Sequence, residues 1–152
     1  RGCVGALVVP HRIVQRALAA GLIASDSPVD RADFDDVDRL FTEFTALAMR
    51  HDPVSREIVT GVATQISRAI VSIVNLLDVD TIVFGGPFWR RIEPALLGAI
   101  RHLVNTDPAL IPKHPIHIEN SGIGEDVAAI GAGCLVLDQS LAPHTSALLI
   151  SR

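Results

Sequence analysis

The stretch DVDTIVFGGPFW carries the most chemically suggestive spacing in the chain: a short apolar run over 80–84, then Gly85 and Gly86, then a helix whose start is expected at a proline. Glycine lacks the Cβ that would keep a ligand away from the backbone, and a helix start offers N–H groups with no partner inside the helix. A strand, two glycines and a helix therefore describe an approach site for a phosphate or nucleotide. The same residues equally describe an ordinary tight turn. With the helix placed at about 93–104, Glu93 and Pro94 blunt its start, one by its charge and the other by having no N–H. A second glycine-rich turn, SGIGED, has Glu125 and Asp126 already at the positive end of the helix that follows.

The other reactive residues are dispersed. Of six histidines, His114 and His117 are the closest pair, but no third ligand lies beside them, so they read as part of a surface loop. The acidic segment SDSPVDRADFDDVD lacks the central glycine and terminal glutamate of a calcium loop and reads as a solvated turn. Asp78 and Asp80 flank the start of the 80–84 strand. Ligands in α/β sheets bind at the other end of the strands, so a cap and a turn residue are expected there. No Ser-His-Asp or Cys-His set can be assembled from sequence.

Positioning any of these groups requires a core, and the composition supplies one. Of 152 residues, 49% are hydrophobic and 20% charged, which suits one domain or part of a larger one. Aromatics are few, and the apolar residues are mostly Ala, Val, Ile and Leu, as in a helix-covered sheet. The net charge of −4, with no basic cluster beyond Arg90–Arg91, argues against direct contact with nucleic acid. Two widely separated cysteines fit a reduced, cytoplasmic protein. Asn75, Asp78 and Asp80 interrupt the longest apolar run, no signal peptide is visible, and no membrane role is expected. The chain opens on RGCVGALVVP without an initiator Met, so an upstream portion is expected.

Helices are expected over about 11–20, stopped by Gly21, and over 36–50, capped by Asp33 or Asp35. A third is expected over 54–77, capped by Asp52 with Pro53 in its first turn. In the third helix Val59, Val62, Ile66, Ile70, Ile73, Val74 and Leu77 recur at three- and four-residue spacing, which predicts one buried face. The strand at 80–84, a helix over 93–104 with Leu96, Leu97, Ile100 and Leu103 inward, a second strand near 115–119 and a helix from Val127 complete the order. Ala128, Ala129, Gly131, Ala132 and Gly133 would let that last helix approach a neighbour closely. Helices alternating with strands predict an α/β layer with parallel neighbouring strands.

The combination of a long apolar helix, NLLDVDTIVFGGP, a helix, a strand and GEDVAAIGAGCLVL resembles the C-terminal half of the ROK family of repressors, open reading frames and sugar kinases. The resemblance covers about residues 1–143, leaving 144–152 as a tail. It implies the C-terminal part of an actin/hexokinase-like (ribonuclease H-like) domain, helix-rich with an unusually small parallel sheet. It places Gly85 and Gly86 on the nucleotide side. RGCVG resembles the last piece of the family's zinc motif, which would make Cys3 the final thiolate ligand, with the others upstream. An ordinary buried thiol is the alternative, and no cofactor is expected in this chain by itself. Where the family's kinases contact sugar with a glutamate, this chain has Gly5, and Pro87, Phe88 and Trp89 follow the double glycine. On those departures, and on LVLDQSLAP at the end, the resemblance is closer to the sugar-responsive transcriptional regulators. The expectation is then a non-enzyme: the sugar-effector-binding and dimerisation region of a repressor, contacting DNA only through a winged-helix domain that this chain lacks. The alternative is part of an ATP-dependent sugar kinase. A bare two-stranded sheet and a partly uncovered long helix also predict a homo-oligomer.

Overall fold

The fold is that of a computed structural model, which describes residues 8–26, 28–50 and 52–141. Cys3, Gly5 and the 144–152 tail lie outside the described residues.

Three helices within the described residues precede the sheet. Helix α1 (Pro10–Ala19) ends in paired hydrogen bonds, Leu22 N–H to Ala17 O at 3.0 Å and Gly21 N–H to Leu18 O at 3.0 Å, with Gly21 at φ +70°. Glycine tolerates that left-handed turn at little cost, so the expected stop is the observed one. Helix α2 (Phe34–Met49) starts where the Asp33 carboxylate accepts the Asp36 N–H at 3.0 Å, and Asp35 and Asp36 sit in its positive first turn. Helix α3 (Pro53–Leu77) starts with Asp52 accepting from the N–H groups of Val54 and Ser55, both at 2.9 Å. It ends at Asp78, whose φ of 52° stops the helix before the sheet.

Strand β1 (Thr81–Phe84) pairs in parallel with β2 (His117–Asn120), in the register Thr81 to His117 through Phe84 to Asn120. Helix α4 (Pro87–Asn105) makes the crossover, and a 3₁₀ turn (Gly124–Asp126) leads into α5 (Val127–Leu141). The small parallel sheet is therefore as expected. Ile82 and Ile118 stand opposite each other on the helix-covered face, whereas Val83 on the other face is 60% exposed.

The core joins Ile13, Val14 and Ala17 of α1 to Leu40, Phe41 and Phe44 of α2, and then to α3, α4 and Ile118. Two polar residues pin the chain around it. Asn75 donates to Ala109 O at 2.7 Å and accepts from Ile111 N–H at 2.9 Å, holding the proline-broken loop. Asn105 grips the approach to β2 through both polar groups of the Ile116 backbone.

Three expectations need correction. Helix α4 begins at Pro87, not near 93. Pro94 lies inside it, costing a backbone hydrogen bond, but Phe88, Trp89 and Ile92 pack against the core and hold the first two turns in place. On α3 the buried stripe is Val59, Val62, Ala63, Ile70, Val71 and Val74, while Ile66 is half-buried and Ile73 and Leu77 are exposed. Ile66 and Ile73 line an apolar groove instead, whereas Leu77 stands in solvent. Among the described residues helix α5 is held mainly at its start, where Val127 meets the Gly85 turn, and Leu135, Val136 and Leu141 stand in solvent. Helix α3 is also long and apolar enough to cross a membrane. Its Val59–Val74 stripe packs on α1, α2 and α4, which is the arrangement of a core helix.

Candidate functional site

The two glycines after β1 serve different purposes. A Cβ on Gly85 would sit 3.0 Å from Ser121 Cβ and 3.4 Å from Val127 Cγ1, so this residue is small because another turn of the same chain crosses it. That crossing is fixed by Ser121 N–H donating to Phe84 O at 2.6 Å. Gly86 has open space around it, but its φ of 106° and ψ of 163° belong to a region essentially restricted to glycine. Gly86→Ala is therefore expected to cost about 1–3 kcal/mol through backbone strain alone. Thermal unfolding should register this as a clear drop in melting temperature; an unchanged melt would mean that the turn relaxes into an ordinary conformation.

Where the two turns meet, at the C-terminal ends of both parallel strands, there is a pocket of about 210 Å³ lined by Phe84 to Gly86, Trp89, Arg90, Glu93, Asn120 to Gly122 and Gly124. This is where α/β sheets bind ligands. Trp89 lies flat on Phe84, with ring centres 4.2 Å apart, and its Nε1–H donates to Asn120 Oδ1 at 2.8 Å. Phe88 turns the other way, edge-on to Phe41. The bulky pair after the double glycine thus forms a wall and a core plug, and leaves the turn open. Arg91 anchors the same helix start: it donates to Thr42 Oγ1 at 2.8 Å and Asp38 Oδ1 at 2.6 Å and lies over the rings of Phe41 and Phe88.

A larger groove of about 370 Å³ lies among α1, α3, β1 and α4, but its walls are apolar throughout and offer nothing to orient a polar ligand. His114 and His117 are both exposed, and among the described residues no three His, Cys, Asp or Glu side chains converge. Asp78 and Asp80 are a helix cap and a turn residue, Asp80 accepting from Thr81 Oγ1 at 2.9 Å. Sequence reasoning found Gly85 and Gly86, read Trp89 and Glu93 as obstacles to a ligand, and did not place Arg90, Asn120 or Ser121 in the site. Parallel pairing of the two strands, read together with the glycines after each, would have brought SGIG beside FGGP.

The model of the ROK family matches residues 14–139. The chain belongs to the ROK family. No curated protein matches it by sequence. Among solved structures it is similar to a protein from Cytophaga hutchinsonii provisionally designated a sugar kinase, at 17% identity and a TM-score of 0.62. The match covers 88% of this ROK chain and 44% of that protein, so the chain spans less than half the length of its structural relative. At this identity the likeness concerns the fold, and the expected class is borne out: an α/β, actin/hexokinase-like ROK domain, rich in helix with a small parallel sheet.

The expectation of a non-enzyme is corrected here. The similar structure carries a sugar-kinase designation, and the ROK family includes sugar kinases, so nothing in the match sets the chain apart from enzymes. The helix start is also less blunted than the sequence suggested, because Glu93 and Pro94 lie inside α4 and not at its first turn.

Proposed function

We propose that the chain forms the nucleotide-facing C-terminal portion of an ATP-dependent ROK sugar kinase, acting in the cytoplasm. The observation that carries this reading is the meeting of two glycine turns beside Arg90 and Glu93, at the C-terminal ends of two parallel strands. Gly86, with open space where a Cβ would stand, lets a ligand approach the backbone closely. The side chains that bind the sugar and accept its hydroxyl proton would belong to the remainder of the fold, since this chain spans 44% of its structural relative. The apolar side of α5 and the open sheet face would lie against that remainder or against a second subunit in a homo-oligomer. If Cys3 belongs to a zinc site, its partners would come from the same remainder, because a structural zinc needs four ligands.

The test is hexose-dependent ADP release by the complete polypeptide that carries this sequence, over a panel of hexoses and N-acetylhexosamines. Turnover that requires both ATP and sugar is expected. Tight sugar binding with no ADP release would overturn the kinase reading.

One observation favours a second reading, a sugar-responsive regulator of the same family. At about 210 Å³ the turn pocket is small for a whole nucleotide but roomy enough for one sugar ring. In that case the same residues would hold an effector whose binding shifts a dimer between two geometries, and DNA would be contacted by a separate winged-helix domain.

A further inference from the structure

The two edges of the small sheet are finished differently. In the parallel ladder His117 N–H donates to Asp80 O at 2.8 Å and Ser121 N–H donates to Phe84 O at 2.6 Å. Residues 117, 119 and 121 therefore turn their backbone groups towards β1, and the alternation of a strand sends those of Ile116 and Ile118 outward. An outward row of this kind is a template on which another chain can pair. A recess of about 300 Å³ runs along it, lined by Arg101, Asn105 and residues 116–119.

Side chains of α4 already occupy that row. Asn105 accepts from Ile116 N–H at 2.8 Å and donates to Ile116 O at 3.1 Å, and Arg101 Nε–H donates to Ile118 O at 2.8 Å. A carboxamide carries its donor and acceptor in one plane, as a peptide group does, so Asn105 meets Ile116 as a neighbouring strand would. The spacing fits as well. Helix α4 runs against β2, with Arg101 at Ile118 and Asn105 at Ile116. Four residues of a helix rise about 6 Å, against about 6.6 Å for two residues of a strand. Asn105 is the last residue of α4, where a poor helix former costs little. The other edge has no such closure: among the described residues no side chain bonds the backbone of Thr81 or Val83, which turn outward from β1. We propose that Asn105 and Arg101 stand in for a neighbouring strand, making β2 the terminal strand of the sheet and keeping other chains from pairing with it. Any oligomer of the protein is then built through other surfaces.

Amide exchange of the complete wild-type polypeptide gives the first reading. Ile116 N–H should be protected like the ladder-bonded His117 N–H; exchange at the rate of an open strand edge overturns the proposal. Sedimentation velocity over a range of concentrations gives the second, for the double variant Asn105→Ala with Arg101→Ala and for Asn75→Ala. Asn75 is the control for lost stability, because it too makes one donated and one accepted backbone bond, but to residues 109 and 111 rather than to the strand.

The double variant should form larger species than the wild type at the same concentration, and in them the outward-facing Ile118 N–H should gain protection. At concentrations too low for association its Ile116 N–H should exchange about fivefold faster than in the wild type, the loss expected for one hydrogen bond. Asn75→Ala should sediment as the wild type does. A double variant that sediments as the wild type does overturns the proposal, and so does equal association of Asn75→Ala. If the double variant does not fold, Arg101→Ala alone, which removes a single bond from an exposed side chain, is read by the same outcomes.

Discussion

Val74→Asp is expected to leave no cooperatively folded protein. Val74 lies on the buried stripe of α3, fully shielded, in the core shared with α4. A carboxylate there would have no cation within reach among the core residues, which are apolar, and would have to be buried charged or forced to protonate. Either costs at least several kcal/mol, against a total stability of about 5–15 kcal/mol for an ordinary domain. The informative comparison is Ile66→Asp, two turns earlier on the same helix. Ile66 is half-buried and faces the open apolar groove, so its carboxylate can stay hydrated, and a loss of about 1–2 kcal/mol is expected. Urea denaturation followed by circular dichroism measures both. A Val74→Asp midpoint close to the wild type would show that this stripe is not the core, and equal collapse of Ile66→Asp would show that the groove is closed.

Phe41→Ala should be the next most damaging change, at about 3–5 kcal/mol for an aromatic core truncation. Phe41 is 1% exposed and meets Phe88 edge-to-face at 5.7 Å and 83°, an arrangement that adds to simple burial. It also forms one wall of the slot in which Arg91 lies. Its loss therefore loosens the first turn of α4, and with it the glycine turn that opens the candidate site. Equilibrium unfolding should show the stability loss, and amide exchange should speed up at 85–89 beyond what the global loss explains. The neighbouring Phe34→Ala is the control: Phe34 is 76% exposed, and its removal should stay within about 0.5 kcal/mol. Loss of less than about 1 kcal/mol for Phe41→Ala would show that the aromatic slot is dispensable.

The helices were legible because their ends are written in local chemistry. Asp33, Asp52 and Gly21 act through hydrogen bonds within three or four residues, and Pro53 through its fixed φ, all of which a sequence displays directly. Helix α4 was misplaced because its start is decided at a distance: Phe88 reaches Phe41 and Trp89 reaches Phe84, and those contacts outweigh the local signal of Pro94. The same limit applied to the site. Gly85 and Gly86 could be found as a pattern, but Asn120 and Ser121 join them only through strand pairing across a crossover of more than thirty residues. The α3 face was read correctly at Val62, Ile70 and Val74. It was over-extended at Ile73, which faces the open groove, and at Leu77, because periodicity shows which side of a helix is apolar, not what covers it.

The close passage of Gly85 beneath Ser121 makes the two positions a single unit of variation. A Cβ at 85 would stand 3.0 Å from the existing one at 121, so tight that one of the two turns would have to give by a few tenths of an ångström. Drift at either site is conditional on the other: a larger residue at 85 becomes tolerable once 121 is glycine, and the present serine at 121 persists only while 85 stays bare. Across lineages such a pair should exchange bulk rather than accumulate it. The distance between the two turns, and so the width of the opening they frame, is then inherited through a two-residue compromise rather than through either residue alone.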